Sequence, residues 1–334
     1  MNTSTSPQTA LPVRESPAAA QLQPTVDASA RIPRGQRALI LGGGGSTGNA
    51  WLIGVVAGLY DGGVNVTRAD LTVGTSAGST AAAQLAGASP AELFKATLSP
   101  VLPPSRTSTG AGIAGSGASG AGQRPAKPVA DHMERTGKIL DASVDMADMR
   151  RRMGAAALDL AAATDGASKR WRATVAGRLP QQHWPEQAVL LTAVNAETGE
   201  PVVFDRHSGV DLVDAVAASC ASGFAYSIGT SHYIDGGYRA NAENADLAMG
   251  YPKVLVLSPF GGRTRTPREW GMHLDSQISA LQSNGSRVRV IVPDVDSEYM
   301  FGVNAMDLSL RPGAARAGYE QGLSLAGGLG GFWG

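Results

Sequence analysis

A chain of 334 residues with 43% hydrophobic content can bury a sizeable core, as one large or two modest domains. Its 28 basic and 28 acidic residues cancel and charged residues make up only 17%, so the basic surplus of a nucleic-acid binder is absent. The single cysteine, Cys220, excludes an intramolecular disulfide and a multi-thiolate metal site, and no run of eighteen apolar residues provides a membrane span.

Residues 1–36 are rich in Ser, Thr, Pro and Ala without periodicity and read as a disordered arm. They lack the basic and apolar regions of a secretory signal, which leads to the expectation of a cytoplasmic protein. Arg37–Leu41 reads as a buried strand, followed by a helix over Asn49–Tyr60 with Trp51, Val55 and Leu59 along one face. Leu71–Val73 is a short strand and Ser76–Leu85 a helix of small residues. A Gly/Ser/Pro-rich segment, 99–130, reads as a flexible insertion of the kind used for lids, binding loops or linkers. The charge-rich stretch from Asp131 to Arg178 is expected to be helical. Its Arg150-Arg151-Arg152 run is a solvated face, with contact to anionic lipid head groups as the sharper alternative.

Further strands are expected at Val189–Val194, Pro201–Phe204, Lys253–Leu257 and Arg287–Val292, with Thr266-Pro267 opening a helix between the last two. A C-terminal helix and a Gly-rich tail fill 311–334. Strands alternating with helices imply a mainly parallel sheet covered on both faces, within a catalytic domain spanning 37–310.

Two glycine motifs leave two of these strands. Gly74-Thr-Ser-Ala-Gly78 follows the second strand, and Gly42-Gly-Gly-Gly-Ser-Thr-Gly48 follows the first. With 43 glycines, Gly-x-Ser-x-Gly arises by chance in roughly every second chain of this composition, so only context gives it weight. The first glycine loop also fits a dinucleotide-binding G-x-G-x-x-G. That reading needs an acidic residue at the end of the second strand, and Asp70 precedes it instead. A P-loop is excluded because no Gly-Lys-Ser/Thr follows.

Parallel strands joined by a right-handed crossover deliver their C-terminal ends to the same edge of the sheet, so the two motifs are expected to face each other. Successive glycines leave N–H groups open to a developing negative charge, while Gly74 and Gly78 let the turn at Ser76 close tightly. Ser76 is therefore assigned as nucleophile, with Gly43, Gly44, Gly45 and Ser46 as oxyanion loop and the Ala77 N–H contributing. Of the five histidines, His132, His183, His207, His232 and His273, none has a recognisable catalytic context. Asp235, in Tyr-Ile-Asp-Gly-Gly, is the better base candidate, although Asp-Gly is also a hairpin-turn signal.

The loop GGGGSTG, the elbow GTSAG and the later DGG, in this order, resemble the patatin-like phospholipase family. The resemblance runs from about Arg37 to Leu257 and includes TAVNAETGEPVVF, DAVAASCAS and DGGYRANAENADLA. It implies a three-layer α/β/α patatin-like fold and a Ser–Asp dyad without histidine, metal or cofactor. It also implies a glycine-loop oxyanion hole and a lipid or other acyl-ester substrate, reached by transient contact with a membrane surface. Residue by residue it carries over to Gly43, Gly44, Gly45, Ser76 and Asp235.

Two positions depart from the pattern. Thr47 stands where many members have Arg or Lys, so any cation that steadies the loop must come from elsewhere. Ser222-Gly-Phe-Ala-Tyr-Ser227 replaces a proline-rich turn and is expected to line the acyl pocket. The expected function is a serine acyl hydrolase. An acyltransferase or thioesterase on the same dyad is the first alternative, and a non-catalytic or nucleotide-binding module the second.

Overall fold

The computed structural model describes residues 27–99, 126–164 and 166–334. In chain order, β1 (Arg37–Leu41) leads into α1 (Gly45–Asp61), and β2 (Leu71–Gly74) into α2 (Ala77–Gly87) and α3 (Pro90–Leu98). Three helices follow, α4 (Ala126–Asp141), α5 (Met146–Ala162) and α6 (Ala167–Ala176). After them come β3 (Val189–Asn195), β4 (Pro201–Phe204), α7 (Leu212–Ser219), β5 (Tyr226–Ile228) and β6 (Ser231–Asp235). The chain closes with β7 (Lys253–Leu257), α8 (Leu274–Ser283), β8 (Arg287–Ile291) and α9 (Arg311–Trp333).

β1 lies between β2 and β7, with β3 beyond β2 and β8 beyond β7, all in parallel pairings. The β3–β4, β3–β6 and β5–β6 pairings are antiparallel. Along β3, Leu191 pairs with both Gly74 and Phe204, and Ala193 with both Asp235 and Val202. A strand residue has two edges, so β4 takes one edge of β3 while β2 and β6 share the other, end to end. The C-terminal ends of β2 and β6 thus run toward each other.

Successive residues of a strand face opposite sides of the sheet, which is why a continuous apolar run serves a sheet covered twice. Leu39 and Leu41 join the core under α1, α2, α7 and α9, whereas Ala38 and Ile40 join the core under α8 and the turn at Ala245–Ala248. α5 covers the same second face further along, over Val194 and Ile234. The result is a three-layer α/β/α architecture with a mostly parallel central sheet. On the first face α1 and α9 pack at backbone contact: a Cβ on Gly54 would stand 2.1 Å from the Ala315 carbonyl oxygen. Trp51, wholly buried, donates its indole N–H to Gln321 of α9 at 3.2 Å.

Several elements differ from their sequence reading. α1 starts at Gly45 rather than Asn49, because tertiary contacts hold the glycine turn helical before the apolar periodicity begins. Residues 27–36 are not a free arm: Ala28 N–H donates to Val203 O at 2.7 Å, Arg31 pairs with Asp205 at 3.1 Å, and Ala28 is fully buried. Pro267 caps a short 3-10 turn, Arg268–Trp270, and the α-helix begins only at Leu274. Arg150 is no solvated residue, since its guanidinium donates to the Gly199 and Arg239 carbonyls, whereas Arg151 and Arg152 face solvent beside Asp148. The glycine-rich end remains helical to Trp333. Residues 1–26 and most of the 99–130 insertion lie outside the described residues. Among those described, no helix is long and apolar enough to cross a membrane.

Candidate active site

Ser76 sits between β2 and α2 with φ 52 and ψ −115, and among the described residues only it and Asn244 combine a side chain with positive φ. Such a conformation costs of order 1–3 kcal/mol and persists only where neighbours hold it. Here they do. Ser76 N–H donates to Ser219 Oγ at 3.0 Å, and its carbonyl accepts from Ser79 Oγ at 2.6 Å and Cys220 Sγ at 3.0 Å. The turn closes because position 78 is glycine: a Cβ there would lie 1.8 Å from Leu41 O. Within residues 71–83, Ser76 alone is not buried, so the backbone strain turns its side chain outward.

The glycine loop lies opposite. A side chain at Gly43 would stand 3.5 Å from Ser76 Cβ. Gly45 has φ 64, a conformation glycine adopts freely, and turns the chain into α1. The expectation that Gly43 donates to an oxyanion meets an occupied amide: Gly42 N–H donates to Leu257 O at 2.9 Å and Gly43 N–H to Ala242 O at 2.8 Å. Among the described residues the amides of Gly44, Gly45, Ser46 and Ala77 have no acceptor, as befits the first turns of α1 and α2. Thr47, where a cation was absent from the motif, uses both its N–H and its hydroxyl on Ala305 O.

Asp235 ends β6 beside this pair. Asp235 is 6% exposed, and its carboxylate accepts from Gly237 N–H at 2.8 Å and interacts with the Ser76 side chain. Burial outweighs both interactions and pushes its pKa up to about 6. The Asp-Gly-Gly is not a hairpin turn: Gly229 and Thr230 make that turn, and Gly236–Tyr238 forms a 3-10 turn at the strand's end. A Cβ on Gly236 would lie 2.1 Å from Thr192 Oγ1, so only glycine lets the end of β6 close onto β3.

Asn244 is a residue that motif reading passes over. Fully buried at φ 54, its amide nitrogen lies within 3.0–3.3 Å of Thr75 Oγ1, Thr192 Oγ1, Gly236 O and Asn241 O. It joins the end of β2, before Ser76, to the turn after Asp235. Glu243, next in line, is buried behind Gly42, accepts from Ser258 Oγ at 2.6 Å and is raised by burial to about 7.

None of the histidines bonds to Ser76 or Asp235. His232 Nδ1 meets Glu197 at 2.5 Å, His273 Nε2 meets the Thr266 carbonyl, His183 and His207 are exposed, and His132 lines a cavity between α4 and α5. Ser222 and Gly223 line that same cavity with Ile139, Leu160 and Tyr238. Burial, and then the nearby Asp235 carboxylate, hold the Tyr238 phenol in its neutral form, so the cavity reaches toward Asp235.

A search of curated proteins finds no match to this chain. Among solved structures, the crystal structure of the type III effector protein ExoU is similar, at 13% identity and a TM-score of 0.30. The match covers 87% of this chain and 54% of that one, so this chain spans about half the length of that protein. The family model for patatin-like phospholipases matches residues 39–248, which include both glycine motifs, Ser76 and Asp235, and on this ground the chain belongs to the patatin-like phospholipase family.

Proposed function

We propose that the protein is a serine acyl hydrolase of lipid esters, with Ser76 as nucleophile and Asp235 as its base. Membership of the family supports lipid-ester hydrolysis in general. The observation that carries the finer reading is the strained, outward-turned Ser76 beside a buried carboxylate, with four uncommitted amides on the adjoining turns.

In this reading Asp235 accepts the Ser76 proton as Oγ attacks the ester carbonyl. The oxyanion is met by amides drawn from Gly44, Gly45, Ser46 and Ala77, at the positive ends of α1 and α2. Asp235 returns the proton to the departing alcohol, then takes one from the water that releases the acyl group. A carboxylate near 6 is a far better base than an ordinary Asp near 4, so burial supplies proton affinity that the bare residue type lacks. Lipid is favoured as the substrate class by the exposed apolar segment that adjoins the oxyanion loop. Val295, Tyr299, Val303, Met306 and Leu308 are all at least half exposed, and Met306 Sδ and the Ala305 carbonyl adjoin Gly45.

The test is a fluorophosphonate probe with a panel of chromogenic esters of increasing chain length. Ser76→Ala abolishes hydrolysis and labelling, while Ser46→Ala is still labelled. Attachment of the probe to Ser46 or any other residue of the wild type overturns the assignment. Product analysis with added alcohol or thiol acceptors separates hydrolysis from acyl transfer.

A further inference from the structure

Arg311 is the first residue of α9 and lies 265 positions from the loop it touches. Its Nη1 donates to the Ser46 carbonyl at 2.7 Å and to Ser46 Oγ at 3.1 Å, and its Nη2 donates to Asn49 Oδ1 at 3.3 Å. Asn49 Nδ2 in turn donates to Gln84 Oε1 at 2.9 Å, so the fork on α1 is continued onto α2, the helix that Ser76 caps. No carboxylate pairs with Arg311 among the described residues; its ligands are neutral oxygens.

The placement disfavours the charge on the guanidinium. Cations belong at helix C-termini, yet this guanidinium stands at the N-terminus of its own helix and on the first turn of α1. Partial burial disfavours its charge as well, and Arg178 adds repulsion. A cation in this position gains a use when negative charge develops at the α1 turn, where the uncommitted amides of Gly44, Gly45 and Ser46 lie.

We propose that Arg311 is a positioning residue for ester cleavage: it fixes Ser46 and Asn49 so that the oxyanion-loop amides are held in place, and it adds positive potential where the oxyanion forms. The inference rests on Ser76 being the nucleophile. It makes α9, which lies beyond the 39–248 family match, part of the reaction's supporting structure.

The experiment compares wild type with Arg311→Gln, Arg311→Lys, Arg311→Ala and Asn49→Asp by kcat, KM, melting temperature and fluorophosphonate labelling rate. Arg311→Gln is expected to lower kcat about 10–100-fold, less than the loss of a direct oxyanion donor, with KM within about twofold. Arg311→Lys retains the charge without the fork and falls between. Millimolar guanidinium restores kcat to Arg311→Ala and leaves wild type unchanged. Asn49→Asp supplies a carboxylate to the guanidinium at the cost of the donor to Gln84, so its kcat falls by more than its unfolded fraction accounts for, which a purely structural role does not give. A kcat within twofold of wild type in Arg311→Gln and Asn49→Asp overturns the proposal, as does a loss that follows the unfolded fraction without guanidinium rescue. If wild type itself neither hydrolyses esters nor labels at Ser76, the functional reading falls first; if it does both while the Arg311 variants match it, this inference alone falls.

Discussion

Gly74 and Asp235 pair with Leu191 and Ala193, two residues apart on the same edge of β3. The strand leading to Ser76 and the strand ending in Asp235 therefore meet head to head, with Thr192 between them. Thr192 Oγ1 reaches Thr75 Oγ1 at 2.9 Å, and Asn244 bridges both to the Gly236 carbonyl. Asn244 side-chain removal should cost about 1–3 kcal/mol by leaving buried groups unpaired, and it should lower kcat more than it raises KM. Asn244→Gly, which keeps φ 54 without strain, is expected to be more stable than Asn244→Ala by about 1 kcal/mol, with both equally impaired in turnover. Urea unfolding beside steady-state kinetics checks this; full activity in Asn244→Ala rejects the bridging role.

The raised carboxylates make the pH dependence specific. Asp235 in the fold holds its proton up to about 6, and Glu243 up to about 7, whereas in the unfolded chain both titrate near 4. Between those limits the folded state binds more protons, so stability falls as pH rises through about 4 to 7 and is flat above. Asp235→Asn and Glu243→Gln should therefore be more stable than wild type at pH 8, by about 1–3 kcal/mol each, with the gain gone by pH 4. Activity runs the other way. The base must be ionised, so kcat/KM drops about tenfold per pH unit below about 6. A kcat/KM that is flat down to pH 4.5 excludes Asp235 as the base.

The exposed segment 295–308 gives a third expectation. Val295→Asp and Val303→Asp add charge to residues that are 84% and 73% exposed, so melting temperatures should hold within a few degrees. Hydrolysis of long-chain lipid in vesicles should fall severalfold, while soluble short-chain esters are turned over as before. Equal loss on both substrates would mean that the segment shapes the oxyanion loop rather than meets lipid.

The legible part of this molecule is the part written locally. β1, β4 and β7 stand where their apolar runs place them, because buried parallel and hairpin strands carry their signal within five residues. α3 also has a readable start, Ser89-Pro90-Ala-Glu92, a capping box that apolar periodicity passes over. Arg311 on Ser46 and Asn244 on Thr75 leave no local trace, since their partners are 265 and 169 residues away. The Asp-Gly turn signal at 235 misleads for a related reason: backbone contact with Thr192, not a hairpin, demands its glycine.

The last expectation is that no histidine takes part. A triad would need an imidazole bonded to Ser76 and a carboxylate behind it, and among the described residues the Asp235 carboxylate has its hydrogen bonds with the Gly237 amide and Ser76, not with an imidazole. His232 lies three residues before Asp235 on the same strand but spends Nδ1 on Glu197 and its backbone faces Ser227. His132 is half-buried at the α4–α5 cavity, where desolvation and Arg135 and Arg265 hold its pKa down. It is the one histidine whose replacement should change substrate choice, by opening the cavity that Ser222 and Gly223 also line. Each His→Ala variant should retain kcat on a short ester within about threefold, whereas Ser76→Ala and Asp235→Asn lose it by orders of magnitude. His132→Ala should shift the ratio of long-chain to short-chain turnover and leave labelling of Ser76 intact. Should any single His→Ala variant remain folded and yet fall as far as Ser76→Ala, the site is a triad and Asp235 must be reassigned from base to orienting group.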